Sequence, residues 1–277
     1  MRNSITRSKV AITGANGFIG NALREALKQQ GIEAIGLCRN PKLENDIEFN
    51  LVNLTTLNNI PDDVDTIIHA AYTTQAKDLK NAFQANVKGS KALFDYCHER
   101  GIRIIFLSSC SAHQKARSFY GRSKYQLEGY LNEYDVIIRP GFVVGDGGIY
   151  KRLANSLRTL KFAPLFWGGM QPLQIIYLED LVHGIVNAYL EKKGGTYNLV
   201  QPTIYPLKEF YRQIFIQQNL TPRFIRLPGN LTLMALKIAE FLKIPLPLTS
   251  ENLLGLKYLQ VFESDCEKLG IRARGFG

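Results

Sequence analysis

A tyrosine and a lysine four residues apart, in Tyr120-Gly-Arg-Ser-Lys124, are the residues of this chain best suited to chemistry, with Ser109 eleven positions earlier. Residues at i and i+4 share one face of a helix, so a helix here sets an ammonium beside a phenol. A free tyrosine has a pKa of about 10 and is a poor base at neutral pH. A neighbouring cation favours the phenolate and lowers that pKa. A serine hydroxyl can hold a carbonyl or alcohol oxygen by hydrogen bonding. The three together form an acid/base device for moving a proton on or off an alcohol. Such a device calls for a hydride carrier elsewhere in the chain.

The start of the chain supplies a site for one. Lys9-Val-Ala-Ile-Thr13 reads as a buried strand, and Gly14-Ala-Asn-Gly17-Phe-Ile-Gly20 follows it. Ile19, Leu23, Ala26 and Leu27 then recur at helical spacing, which predicts a helix over 18–30 stopping before Gly31. Glycines allow a tight turn and close approach of backbone to phosphate, and a helix N-terminus adds N–H groups and a positive dipole end. In this strand–turn–helix setting the glycine triplet signals a dinucleotide loop. A carboxylate at the end of the second strand (33–38) would bind the adenosine ribose and repel a 2′-phosphate. The chain has Cys38-Arg39-Asn40 there. With no acid and an arginine that can pair a phosphate bidentately, the reading is NADP ahead of NAD.

Further short apolar strands are expected at 65–70, 103–108 and 136–139, with a helix over 78–100. In the second half, a strand at 174–177 leads into a helix at 179–190, and a strand at 197–200 precedes helices at 206–218 and 231–243. Pro245 and Pro247 break the chain before a last helical stretch. Short buried strands alternating with helices imply a parallel sheet covered on both faces. The expected class is α/β, a doubly wound Rossmann-type parallel sheet with a small C-terminal substrate lobe. Residues 1–145 form the nucleotide-binding domain, with 170–200 returning to it, and 146–169 and 201–277 form the lobe.

At 277 residues and 45% hydrophobic the chain can bury a sizeable core. Cys38, Cys97, Cys110 and Cys266 show no C-x-x-C spacing, so neither a metal site nor a disulfide framework is expected. Residues 1–9 are polar and basic, without the apolar region of a signal peptide. No run approaches the roughly 18 apolar residues of a spanning helix, so no integral membrane contact and a cytoplasmic location are expected. The net charge is +10 with basic residues scattered rather than striped. That speaks against nucleic acid and leaves solubility or attraction of anionic ligands as its meaning. The apolar stretch Leu231–Leu242, edged by Lys237 and Lys243, reads as a packed lobe helix or dimer contact ahead of a membrane-surface helix.

Taken together, these motifs resemble the extended short-chain dehydrogenase/reductase superfamily, and within it the NAD-dependent epimerase/dehydratase family. The resemblance covers most of the chain. It rests on Gly14-Ala-Asn-Gly-Phe-Ile-Gly20, Asp65-Thr-Ile-Ile-His-Ala-Ala71, Asn86-Val-Lys-Gly-Ser90, Ser108-Ser109, Tyr120 with Lys124, Arg139-Pro140-Gly141-Phe-Val-Val-Gly145, Ile176-Tyr-Leu-Glu-Asp-Leu181 and Gly195-Thr-Tyr-Asn-Leu199, in that order. By this resemblance Tyr120 is the catalytic acid/base, Lys124 binds the nicotinamide ribose and lowers the tyrosine pKa, and Ser109 holds the reacting oxygen. Cofactor contacts are implied for Gly14, Asn16, Gly17, Phe18, Ile19, Arg39, Asn50, Leu51, Ala70, Ala71, Asn86, Pro140, Phe142 and Val143. On the substrate side stand Ser111, His113, Arg152 and Gln171. The substrate class implied is a nucleotide sugar, and relatives often dimerise through a four-helix interface, here 78–100 and 120–133.

Three features depart from the family pattern. The Ser109–Tyr120 loop is short, the segment Trp167-Gly-Gly-Met-Gln171 lacks an arginine that many relatives carry, and the chain is shorter than a typical galactose epimerase. His113 reads mainly as a surface-loop histidine, His69 as a core histidine, and Cys110 as no nucleophile, since no base accompanies it. The reaction expected is hydride transfer on a nucleotide sugar, by a 4-epimerase or a keto-sugar reductase. The alternative is a non-catalytic NADP-binding sensor or assembly subunit, against which the complete Ser109, Tyr120 and Lys124 set argues.

Overall fold

The computed structural model describes residues 9–73, 78–244, 246 and 248–276. The polar start of the chain and the expected break at Pro245 and Pro247 lie outside the described residues. In the first half, β1 (Lys9–Thr13), α1 (Phe18–Gln29), β2 (Ala34–Cys38), β3 (Asp46–Glu48) and β4 (Val64–His69) are followed by α2 (Leu79–Phe83), α3 (Ser90–Glu99) and β5 (Arg103–Leu107). Next come α4 (Phe119–Glu128), β6 (Val136–Pro140), β7 (Phe142–Val144), α5 (Gly148–Leu160), β8 (Ala163–Phe166), β9 (Pro172–Leu173) and β10 (Ile175–Tyr177). The rest is α6 (Leu178–Leu190), β11 (Gly195–Leu199), β12 (Tyr205–Pro206), α7 (Leu207–Gln217), β13 (Phe224–Leu227), α8 (Gly229–Phe241) and α9 (Ser250–Lys257).

Among the described residues seven strands form one sheet, in the order β11-β6-β5-β4-β1-β2-β3. Every pairing from β3 to β6 is parallel. Val10, Ala11, Ile12, Ile67 and Ile68 are fully buried, as expected of strands covered on both faces. The order reverses between β1 and β4, the switch point where ligands of doubly wound sheets bind beyond the carboxyl ends of the strands. This is the Rossmann-type sheet the alternation of strands and helices predicts.

The chain divides into two compact units. One takes in the chain through Ser108, Gln126–Ile138 and Val182–Tyr197; the other takes in Ser109–Tyr125, Arg139–Leu181 and Asn198 onward. The core of the first gathers Ala11, Ile67, Phe94, Ile104 and Phe106, with further side chains from α3 and α4. The core of the second gathers Leu157, Leu165, Leu173, Phe210, Phe215 and Phe276. Burying a side chain of this size contributes about 1.5–3 kcal/mol, so each cluster can hold its own unit together.

Two departures from the expected elements have clear causes. The helix predicted over 78–100 is interrupted by a π-turn at Gln84–Gly89. There a Cβ on Gly89 would lie 2.1 Å from the Leu51 carbonyl oxygen, so the chain must be glycine where it passes that loop. The segments 148–160, 163–166 and 224–227 were not anticipated. α5 begins at Gly147 with no side-chain cap and buries little beyond Leu157, so no start signal marks it. β8 and β13 exist by pairing with each other, Ala163 against Phe224 through Phe166 against Leu227, a partnership invisible locally.

One buried ion pair anchors the nucleotide half. The Arg24 guanidinium meets the Asp46 carboxylate, both side chains almost wholly buried. Gly36 leaves the room: a Cβ there would lie 2.2 Å from Asp46 Oδ1 and 2.5 Å from Arg24 Nη2. Burial alone would raise the Asp46 pKa. Arg24 and the backbone N–H groups of Lys42 and Leu43 outweigh it and hold the carboxyl below its ordinary value. Arg24→Met should cost about 3 kcal/mol, because it strands a buried carboxylate. Urea-unfolding midpoints check this. Because the native pKa is depressed, the pair's contribution is present above the ordinary aspartate range near about pH 4 and is lost as pH falls through the native value. The gap between wild type and variant should therefore narrow on acidification.

Candidate active site

In the first unit, the carboxyl ends of β1 and β4 are locked together. A Cβ on Gly14, whose φ is +70°, would lie 2.9 Å from the Ala71 Cα and 3.0 Å from its nitrogen. Only glycine accepts both that conformation and that approach. On Gly20 a Cβ would lie 2.3 Å from the Gly14 carbonyl oxygen, so the loop also closes tightly on its helix. The Ala71 N–H donates to Thr13 Oγ1 (3.2 Å), and His69 bridges Thr13 Oγ1 (2.7 Å) and Ser90 Oγ (2.9 Å). His69 is fully buried, stacked on Phe106 and edge-on to Phe94, the core histidine expected. Asn86 clamps the next residue of this segment: its amide donates to Thr73 O (2.9 Å) and accepts from Thr73 N (2.8 Å). The π-turn brings Asn86 to that position, and such turns recur at functional sites.

No side chain caps α1 at Gly17, and its first turn carries no acid. The glycine loop and this uncapped helix start form the cradle expected of a dinucleotide's diphosphate site. Asn16, just before Phe18 and Ile19 of the helix start, donates to the Asn40 carbonyl (3.1 Å), next to Arg39. Arg39 is exposed, and among the described residues no carboxylate pairs with it. Asp46, an acid close to the ends of these strands, is occupied by Arg24. Asn50 spends its side-chain oxygen on the Val52 N–H (3.0 Å), while Leu51 packs on the core. Ala70 sits just beyond β4, half-buried beside Ala71.

The second unit carries Ser109 and Tyr120 with Lys124, the residues expected to do acid/base work. Ser109 is buried, accepts the Ser111 N–H at Oγ (3.1 Å), and shares a hydrogen bond with Tyr120. Tyr120 and Lys124 lie one turn apart on α4, and Lys124 is 3% exposed. Tyr120 is 38% exposed as a residue, so its ring can be reached, but its hydroxyl is desolvated. Burial pushes the phenol pKa up, the Ser109 hydrogen bond opposes that, and Cys110 adds a smaller rise; the net direction is up. Tyr120 thus holds its proton at neutral pH in the chain alone.

The position of α4 is set by groups that no local sequence pattern marks. A Cβ on Gly121 would lie 2.4 Å from the Ser111 carbonyl oxygen, so α4 lies flat against the serine segment. The Phe119 N–H, beside Tyr120, donates to the Glu251 carboxylate of α9. A carboxylate at a helix start also meets the positive end of its dipole. No local pattern links residues 119 and 251, which is why Glu251 escaped the sequence.

The other expected residues divide. The Pro140 carbonyl accepts the Cys110 N–H (3.0 Å) and so joins the serine segment to β6. Phe142 packs its ring edge-on to Phe210 (5.2 Å), and Val143 pairs with Ile176. His113 is buried rather than a surface-loop residue. Its Nε2–H donates to the Tyr258 carbonyl (3.0 Å), its Nδ1 has no partner, and burial lowers its pKa, with Arg139 and Lys115 nearby acting the same way. Ser111 is half-buried beside it. Gln171 spends its amide on the Phe166 carbonyl (2.8 Å), and Arg152 lies exposed on α5. Gly121→Ala should cost about 1–3 kcal/mol, since a methyl must displace backbone. It should also break the Ser109–Tyr120 contact, lowering the temperature midpoint and altering the tyrosinate absorbance titration relative to wild type.

Comparison with known proteins places the chain in a family. Residues 10–199 match the NAD dependent epimerase/dehydratase family. The ceramide reductase of Caulobacter vibrioides is 29% identical over 254 residues, 83% of this chain and 77% of the relative. A dTDP-4-dehydrorhamnose reductase of Clostridium acetobutylicum shares the fold at a TM-score of 0.65 and 21% identity, over 79% of this chain and 84% of that one. The UDP-glucose 4-epimerase of Thermotoga maritima, solved with UDP-glucose, does so at 0.66 and 18%, over 79% and 85%. With the switch-point cradle, the serine–tyrosine pair and a match over most of its length, the chain belongs to the NAD dependent epimerase/dehydratase family and is built for a nicotinamide cofactor.

Proposed function

We propose that this protein is an NADPH-dependent reductase that converts a ketone to a secondary alcohol, with Tyr120 as proton donor, Ser109 holding the carbonyl oxygen and Lys124 supporting the tyrosine. The observation that carries the reading is the Ser109–Tyr120 hydrogen bond with a phenol pKa raised by burial. A phenol that keeps its proton at neutral pH is poised to give it to a developing alkoxide. An oxidation would first have to remove that proton. The bound nicotinamide supplies the hydride. The cradle of Gly14, Gly17 and Gly20 holds the diphosphate on the N–H groups of α1. Arg39, exposed and with no carboxylate paired to it among the described residues, takes the 2′-phosphate of NADP. Loss of the reducing direction would leave the epimerase reading, in which the hydride returns to the sugar, or the non-catalytic sensor.

For the substrate, the family's solved structures favour a keto sugar carried on a nucleotide. A second reading has its own support: the ceramide reductase similarity spans most of both chains and suggests a long-chain keto lipid. The substrate-side residues fit either, since Arg152 is the one cation among them and lies exposed.

Tyr120→Phe should lower reductive kcat by about 10²–10⁴-fold with the cofactor Kd unchanged, as removal of a general acid does. Wild-type turnover persisting in that variant would refute the assignment. Reductive kcat should stay level through neutral pH and fall only on the alkaline side, because the raised phenol pKa keeps the donor protonated until then. Stopped-flow NADPH consumption across pH measures this. Arg39→Ala should weaken NADPH binding roughly tenfold or more while sparing NADH, as loss of a charge-assisted hydrogen bond implies. Cofactor-fluorescence titration of both nucleotides checks it.

A further inference from the structure

Helix α8 is apolar on two opposite faces. One face, with Leu233 and Leu236, packs on Phe166 and Leu253, and Glu240 beside it accepts the Ser250 N–H (2.6 Å) and hydroxyl (2.7 Å) at the start of α9. The other face carries Leu231, Met234, Ile238, Phe241 and Leu242, exposed by 60%, 58%, 53%, 85% and 59%. At about 100° per residue these five positions fall within an arc of about 100°, a single uncharged stripe pointing away from the core. Isolated exposed apolar residues are ordinary, but a contiguous row of five marks a docking surface.

The charge around the row indicates what covers it. From Thr221 to Ser250 the basic residues are Arg223, Arg226, Lys237 and Lys243 and the one acid is Glu240, which is engaged with Ser250. A second copy of this chain would bring that basic rim against its own like. An anionic lipid surface complements it. The row also continues at Leu231 into an open groove of about 640 Å³ lined by Leu165, Trp167, Leu227, Asn230 and one cation, Arg226. At 13 residues α8 is about 20 Å long, too short for a hydrocarbon core of about 30 Å. No helix among the described residues is long and apolar enough to cross a membrane.

We propose that α8 docks in the plane of an anionic lipid surface, with its Leu231–Leu242 row among the acyl chains and its lysines and arginines on the headgroups. The helix is tied to the site: α8 holds α9 through Glu240 and Leu236, and α9 holds the backbone beside Tyr120 through Glu251. A surface bound at α8 therefore lies against the same set of helices that positions the proton donor. This favours the lipid reading of the substrate without depending on the redox reaction, because docking is measured with neither cofactor nor substrate.

The test mixes the full chain with vesicles of phosphatidylcholine alone or in equal parts with phosphatidylglycerol, and follows co-sedimentation and the emission of Trp167, the single tryptophan. Wild type should sediment with the anionic vesicles, with a blue shift of Trp167. Replacing Met234, Ile238 and Phe241 together by glutamine should weaken this at least about tenfold while leaving the thermal midpoint unchanged, since all three are exposed. Lys237→Glu with Lys243→Glu should weaken binding to anionic vesicles about tenfold or more. Wild type that stays in the supernatant with both vesicle types overturns the proposal. So does a glutamine variant that binds as well as wild type. A wild-type dimer that becomes monomeric in the glutamine variant, with vesicle binding unchanged, would overturn it in favour of a second copy. Vesicle binding without any ketone reduction would leave docking intact and refute the redox reading alone.

Discussion

The hydrogen bond between Ser109 and Tyr120 is the interaction on which the functional argument turns. It joins a loop residue to a helix residue eleven positions on, and it offsets part of the rise that burial gives the phenol pKa. A desolvated phenol resists ionisation, so burial keeps the proton on this weak acid. Holding that acid in place takes the glycine at 121, which lets the helix approach the serine segment, and a carboxylate from residue 251, which takes the N–H beside the tyrosine. Geometry and protonation state thus come from the same packing.

The nucleotide half uses a different device. Its glycine loop is rigid because the ends of β1 and β4 are stitched through Thr13, His69 and Ser90, and because Asn86 grips the backbone of Thr73 at both its donor and its acceptor. These side chains spend their polar groups on the protein, and no side chain caps the start of α1. A buried polar network of this kind stabilises only when every member is paired, and it specifies one arrangement of the loop.

Much of this was legible in the chain. Parallel strands announce themselves as short apolar runs, so β1, β2, β4, β5 and β6 fall within a residue or two of expectation, and the Tyr120–Lys124 spacing does predict a shared helix face. The features that escaped are those created by distant partners. β8 and β13 are too short to signal alone, and Glu251 carries no mark of its contact 132 residues earlier. The π-turn at 84–89 is one short irregularity inside a helical run, with no residue type in the sequence that marks it. His113 looked like a surface residue because its loop is polar, whereas the α9 segment that covers it lies far along the chain. Asn16, Asn50 and Gln171 each spend one side-chain group on backbone, a contact that the sequence does not signal.

The most direct test of the account follows a label. NADPH deuterated at the reactive carbon is incubated with the protein and a panel of keto lipids and nucleotide keto sugars, and the products are examined by mass spectrometry. The account predicts one deuterium at a new carbinol carbon, with one NADP formed for each alcohol. Products without deuterium, or a cofactor that keeps its label against every member of the panel, would contradict it.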